Sequence, residues 1–238
     1  MIEVVAETGS TSADLAARLA GGAPAAEGHW LVADRQVAGR GRQGRAWNDG
    51  AGNFMGSTIV ALRAEDPPAH TLSLTAGVAL FAAVEQVARG IPELALKWPN
   101  DVLLGGAKLA GILLERFGDH VVVGIGVNIA HAPQLADRAT ASLAQAGYRV
   151  ERDVFAAALE ASWAGALRLW HDRGWAQLRQ QWIVRAHPVG TPLCVHAADA
   201  SLERGTFAGI DPEGALQLKL PDGTRRTIHA GEIQLDRR

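Results

Sequence analysis

The sequence predicts an α+β chain of two units, a larger domain over residues 1–186 and a small β-barrel over 187–238. Three observations predict it. Apolar residues recur at helical spacing over residues 72–88 and again over 153–183. Short runs rich in Val, Ile and Leu, bounded by turn residues, lie among these helical segments. After His187-Pro188 only short apolar runs remain, split by turn chemistry at Asp211-Pro212-Glu213-Gly214 and Pro221-Asp222-Gly223.

In chain order, residues 1–8 read as a strand. Thr11 or Ser12 caps a helix through Ala20, with Leu15, Ala16 and Leu19 on its apolar face and Gly21-Gly22 ending it. Residues 30–33 and 54–62 are strands, separated by a Gly, Arg and Asn-rich loop over 39–53. Residues 72–88 form a buried helix. Strands follow at 94–98, 109–114 and 120–129, with Gly105-Gly106 turning residues 101–104 back into the second of these. The helical pattern at 153–183 breaks near Gly174. Val154, Leu159, Trp163, Ala166, Leu167, Trp170, Leu178 and Trp182 make its apolar stripe, and the tryptophans read as core packing. About five short strands complete the chain.

Composition narrows the function classes. The net charge of −2 argues against a general electrostatic binder of nucleic acid. Cys194 is the only cysteine, which excludes an intrachain disulfide and a cysteine-rich metal site and fits a reducing cytoplasm. The N-terminus lacks the basic start and apolar stretch of a secretory signal, and no apolar run approaches the ~20 residues of a membrane helix. The histidines show no metal-ligand spacing.

The motifs point to anion chemistry. QVAGRGRQGRAW, from Gln36 to Trp47, contains G-x-G-x-x-G at Gly39, Gly41 and Gly44, yet it continues into RAWNDGAGN rather than a helix, so it is no dinucleotide fingerprint. Its arginines Arg40, Arg42 and Arg45 are planar donor forks suited to carboxylate and phosphate, and its glycines allow close approach. A solvated basic loop is the alternative. No G-x-x-x-x-G-K-[ST] occurs, so a Walker-type cradle is excluded. In KWPNDV, Asp101 is either a Mg²⁺-side carboxylate or the centre of an Asx turn. In KLAGILLE, Lys108 falls near Asp101 if the glycine turn makes a hairpin; otherwise it is an edge lysine reaching solvent. In GIGVNI, two glycines in a β-branched strand signal close backbone approach, and Asn128 must find a hydrogen-bond partner.

Taken together and in this order, TGSTSADL, GRGRQGRAW, KWPNDV, KLAGILLE and GIGVNI, followed by the β unit, closely resemble the biotin protein ligase family over essentially the whole chain. The resemblance implies a mixed-sheet catalytic domain of the biotin/lipoate-ligase type, class II synthetase-like, and a C-terminal Src-homology-3-type barrel. It implies an ATP-dependent enzyme that forms biotinyl-5'-adenylate, with Mg²⁺, and passes biotin to a lysine of a biotin carboxyl carrier protein. Lys108, Arg42 and Asp101 are then the catalytic candidates. Ser10, Thr11, Ser12, Gln36, Arg40, Gly41, Arg42, Arg45, Trp47, Lys108, Gly111 and Asn128 are the biotin and adenylate candidates, and Asp101 and Asn128 the residues nearest Mg²⁺ and the phosphates. Position 12 is usually asparagine in the family. Because the first motif begins at Ser10, a monofunctional ligase is expected, with no DNA, no membrane, and a monomer or weak homodimer. A lipoate-type ligase and a non-catalytic biotin- or nucleotide-binding module are the competing readings.

Overall fold

A computed structural model describes residues 1–22, 26–48, 50–197 and 202–235. The first unit is built on a seven-stranded sheet in the order β1-β2-β3-β7-β6-β5-β4. Its strands are β1 (Ile2–Thr8), β2 (Trp30–Gln36), β3 (Phe54–Ala61), β4 (Leu94–Lys97), β5 (Asp101–Leu104), β6 (Ala107–Phe117) and β7 (His120–Val127). β1 and β2 run parallel, joined by α1 (Thr11–Ala20), and the other pairings are antiparallel. The sheet is therefore mixed.

Side chains alternate faces along a strand, and the two faces here have different work. One face carries Trp30, Val32, Phe54, Val60, Val121, Val123 and Val127 into the main core, under α2 (Leu72–Val87), α3 (Arg152–His171) and α4 (Trp175–Arg185). Trp163, Trp170 and Trp182 are buried there, as expected of core residues. The other face carries Leu31, Ile59 and Val122 against Leu15 of α1 in a much smaller cluster. Farther along the same strands that face is open and lined by small residues.

Local chemistry sets the boundaries. The cap of α1 is Ser10 rather than Thr11 or Ser12: Ser10 is extended and its hydroxyl accepts from Ala13 N–H. Thr11 and Ser12 are instead buried in the first turn. The long helical pattern breaks over residues 172–174, where Asp172 is the C-cap of α3 and Gly174 the N-cap of α4. Val154 does not join the buried stripe; it is 59% exposed, because it faces outward in the first turn of α3, where the next residue, Phe155, takes the inward position against Phe54 of β3. Strand β6 is buried only at Leu109, Ala110 and Ile112, and its second half emerges from the core. The expected loop over 39–53 is loop, apart from a 3-10 turn at Arg42–Gly44 and an isolated bridge between Arg40 and Ala46; Asp49 lies outside the described residues.

The C-terminal unit is a five-stranded antiparallel sheet in the order β11-β10-β9-β8-β12, made of β8 (Pro192–Ala197), β9 (Leu202–Ile210), β10 (Leu216–Lys219), β11 (Arg225–Ile228) and β12 (Gly231–Leu235). Its inner residues, among them Val195, Phe207, Leu218 and Ile233, continue the main core. Polar contacts fasten its 211–214 turn to the first unit. Trp98 Nε1 donates to the Gly214 carbonyl at 3.1 Å, and the Arg179 guanidinium donates to the Ile210 and Asp211 carbonyls.

His187 sits at this junction, 6% exposed, with its ring 4.4 Å from that of Phe207. Burial, with the Lys97 charge adding to it, pushes the imidazole down to about 4. An unfolded chain takes up this proton near the ordinary 6.5, so the unfolded state binds more protons between those values. Stability is full above that window and falls as pH drops through it, by roughly 3 kcal/mol. The urea midpoint should therefore fall less between pH 7 and pH 4 in His187→Leu than in the wild type. Equal falls would remove His187 as a cause.

Candidate active site

The open part of the sheet forms the floor of a cavity of about 490 Å³, within the range of small-molecule sites. The floor comes from Met55 and Ser57 on β3, Gly111 and Leu113 on β6, and Gly124 and Gly126 on β7. Met55 pairs with Gly126 and Ser57 with Gly124, while Gly111 lies across from Gly126, so all share one face. The glycines make the space. A Cβ at Gly126 would overlap the Trp47 indole, and one at Gly124 would stand 2.5 Å from Ser12 Oγ. The close approach expected of GIGVNI is thus real, and its partners are Trp47 and Ser12.

The cationic side of the cavity is built on a hairpin. Gly105 and Gly106, at φ 57° and 74°, turn β5 into β6. A register shift pairs Lys108 with Leu103, and the Lys108 side chain reaches along to Asp101. Lys108 Nζ stands 2.6 Å from Asp101 Oδ1 and Lys97 Nζ 3.4 Å from Oδ2. The first is an ion contact rather than an aligned hydrogen bond. Burial alone would push the Asp101 carboxyl up, but the charges of Lys108 and Lys97 together outweigh it and hold it below the ordinary carboxylate value. Asp101 is therefore an ionised group held by two ammonium ions, not the centre of an Asx turn. Lys108 is no solvent-reaching edge lysine either, and its Nζ also lies 5.9 Å from the Trp47 ring.

The Lys108 backbone is pinned from outside the hairpin. Its N–H donates to the Ala139 carbonyl, and its own carbonyl accepts from Ala141 N–H and from Asn128 Nδ2. Asn128 Nδ2 also donates to the Ala141 carbonyl at 3.1 Å. The amide that the motif left without a partner thus ties Lys108 to the 139–141 segment.

The arginine loop closes the cavity from above and is fastened twice. Arg42 Nη1 donates to Asn100 Oδ1 at 3.2 Å, and Asn100 Nδ2 donates to the Ile112 carbonyl. Arg45 makes a two-pronged pair with Glu232 of β12, both contacts at 2.7 Å. That hydrogen bonding holds the Glu232 carboxyl below its ordinary value. Arg40, Gly41 and Trp47 line the cavity with these two arginines.

The remaining wall is uncharged. Ser10, Thr11, Ser12 and Gln36 line it, and Thr11 gives its backbone N–H and its hydroxyl proton to Gln36 Oε1 at 2.9 and 3.1 Å. All thirteen candidate residues thus line one cavity. Ser57, Asn100, Arg138 and Glu232 also line it and were not among the candidates. Ser57 had a signal, since a serine in the apolar run FMGSTIV needs a partner as much as Asn128 does. Glu232 had none, because its partner Arg45 is 187 positions away.

Among the described residues no cluster of three or more His, Cys, Asp or Glu could hold a metal ion. Asp101 offers one carboxylate with a lysine at each oxygen, and Asn128, whose Nδ2 donates to two carbonyls, can offer an ion only its single amide oxygen. These residues do not make a Mg²⁺ site by themselves.

Comparison with known proteins agrees along the chain. Residues 21–128 match the biotin/lipoate A/B protein ligase family, and residues 197–236 match the biotin protein ligase C-terminal domain. The chain is 38% identical to a biotin–[acetyl-CoA-carboxylase] ligase of Paracoccus denitrificans, over 97% of this chain and 98% of that one. A ligase of the same description from Mycobacterium tuberculosis is 36% identical, over 98% and 88%. A solved structure of biotin protein ligase from Aquifex aeolicus, in complex with biotin and ATP, superposes with a TM-score of 0.86 at 25% identity, over 100% and 99%.

The Arg45–Glu232 pair is half exposed, and an exposed two-pronged pair of this kind contributes about 1 kcal/mol. Glu232→Ala should therefore speed trypsin cleavage at Arg40, Arg42 or Arg45 by about fivefold. An unchanged cleavage rate would mean that the loop is held elsewhere.

Proposed function

The chain belongs to the biotin protein ligase family, and on that premise we propose that it activates biotin with ATP and attaches it to a lysine of a carrier protein. The observation that carries this reading is the two-sided cavity. A cationic wall of Lys97, Lys108 and Arg42 faces an uncharged wall of hydroxyls and one amide. Biotin has that polarity, with a carboxylate at one end and a neutral cyclic urea at the other.

In the first step a biotin carboxylate oxygen attacks the α-phosphorus of ATP. The bond to the bridging oxygen of pyrophosphate breaks, and biotinyl-5'-adenylate forms. Two anions must meet, so cations are required where charge develops. Lys108 serves the carboxylate and the transferring phosphoryl group, and Asp101 holds Lys108 in place. Arg40 and Arg42 offset the remaining charge. Mg²⁺, when bound with the nucleotide, supplies further charge neutralisation at the phosphates. The loop of residues 39–48, with Trp47 on the glycine floor, then keeps water from the mixed anhydride. In the second step the carrier lysine attacks the acyl carbon as a free amine. AMP leaves, the amine loses its proton and an amide remains. No covalent enzyme intermediate is needed, and Cys194 is buried in the C-terminal sheet away from the cavity.

The carrier is a biotin carboxyl carrier protein of acetyl-CoA carboxylase or a related carboxylase, by analogy with what the relatives' names state. No helix among the described residues is long and apolar enough to cross a membrane. We place the enzyme in the cytoplasm and divide it at residues 186/187, where the second sheet takes over from the helices.

The test is exchange of labelled pyrophosphate into ATP, with biotin and with lipoate. Exchange should require biotin, and Lys108→Ala should slow it by about 10²-fold or more, in line with loss of one group that meets developing charge. Exchange with lipoate alone would overturn the choice of substrate, and near-normal exchange by Lys108→Ala would remove that lysine from the mechanism.

A further inference from the structure

Ser57 lies fully buried on β3, on the cavity face, beside its cross-strand partner Gly124. Its hydroxyl joins two others, 2.7 Å from Thr11 Oγ1 and 2.9 Å from Ser12 Oγ. The direction of the protons in this chain follows from its far end. The Thr11 backbone N–H can only donate, so the Gln36 atom it meets at 2.9 Å is the carbonyl oxygen, an acceptor. The Thr11 hydroxyl at 3.1 Å from the same oxygen must therefore place its proton there. Thr11 Oγ1 then accepts from Ser57, and Ser57, with its single proton used, accepts from Ser12. All three hydroxyl protons run one way, from Ser12 to Ser57 to Thr11 to Gln36. Thr11 and Ser12 have only lone pairs left for a ligand.

Resting on the ligase reading above, we propose that Ser57 is a positioning residue. It takes the Ser12 proton, as Gln36 takes that of Thr11, so that both hydroxyls present acceptors to the two N–H donors of a cyclic urea. Charge complementarity places the urea here, because this wall is uncharged, while the carboxylate end faces Lys108 and Arg42. A hydroxyl free to turn its own proton toward the cavity would meet a urea N–H donor to donor, and would tolerate an oxygen at the same point. Ser57 removes that freedom without touching the ligand's reacting end.

The experiment compares biotin with a carbamate analogue in which a ring oxygen replaces one ureido N–H, using pyrophosphate exchange by wild type and Ser57→Ala. Wild type should prefer biotin by at least about a hundredfold, because an acceptor would face lone pairs. Ser57→Ala should raise KM for biotin about tenfold, with KM for ATP shifting less than about twofold. It should also narrow the preference for biotin over the carbamate by about tenfold, which a general loosening of the fold would not do. An unchanged biotin-to-carbamate ratio, or equal rises in both KM values, would overturn the proposal. If Ser57→Ala does not fold, Ser57→Cys, which keeps the shape but accepts a hydrogen bond only weakly, carries the same comparison: a narrowed ratio supports the proposal and an unchanged one overturns it. Absence of biotin-dependent exchange by the wild type would overturn the ligase reading itself. That outcome is distinct from a wild type that exchanges and a variant that matches it.

Discussion

Asp101 is a carboxylate 8% exposed to solvent with an ammonium group at each oxygen, and the site depends on it. Desolvation penalises any charge in such a place. The pair offsets that penalty and fixes where the Lys108 charge sits. Leaving one partner of a buried pair without the other typically costs about 3–5 kcal/mol, so hairpin, ion pair and cavity wall stand or fall together. Lys97 shares the same carboxylate from β4, four residues before it in the chain. Asp101 is thus neutralised from both sides.

The sheet explains how so polar a cavity coexists with a stable domain. One face is buried under three helices and offsets the entropy lost on folding, while the opposite face is left partly bare. Strand alternation assigns Val121, Val123 and Val127 of β7 to the first face and Val122 with the two glycines to the second. The C-terminal sheet adds a second support. It shares the main core, it fastens to Trp98 beside Asp101 through Gly214, and it sends Glu232 across to Arg45 in the loop. Loop position and C-terminal packing are therefore coupled through a salt bridge near the cavity mouth, and through a tryptophan in the same motif as the central carboxylate.

Much of this is legible in the sequence, and what is legible is local. Periodicity locates the helices, because α2 and α3 bury apolar faces at helical spacing. The Gly105-Gly106 turn locates the hairpin that brings Lys108 to Asp101. Resemblance across five motifs gathers the thirteen candidates that line one cavity. What escapes is set by contacts distant in sequence. Ser10 takes the cap from Thr11 and Ser12 because those two turn inward, toward Gln36 and Ser57 on neighbouring strands. The hydroxyl partner of Ser12 becomes clear only with Ser57 beside it. Asp101 is open between a turn and a metal-side group, and its lysine pairing depends on a register shift that no pattern announces. Glu232 and the 139–141 segment that pins Lys108 carry no motif at all.

If this cavity joins a carboxylate to the α-phosphate of ATP and retains the product, the product should be recoverable from it. The most direct measurement is mass spectrometry of the small molecules that stay with the purified protein after incubation with biotin, Mg²⁺ and ATP in the absence of any carrier. Biotinyl-5'-adenylate should be found on the protein, with free pyrophosphate in stoichiometric amount. Recovery of unreacted biotin with ATP, or of ADP, from folded protein would contradict adenylate formation at this site.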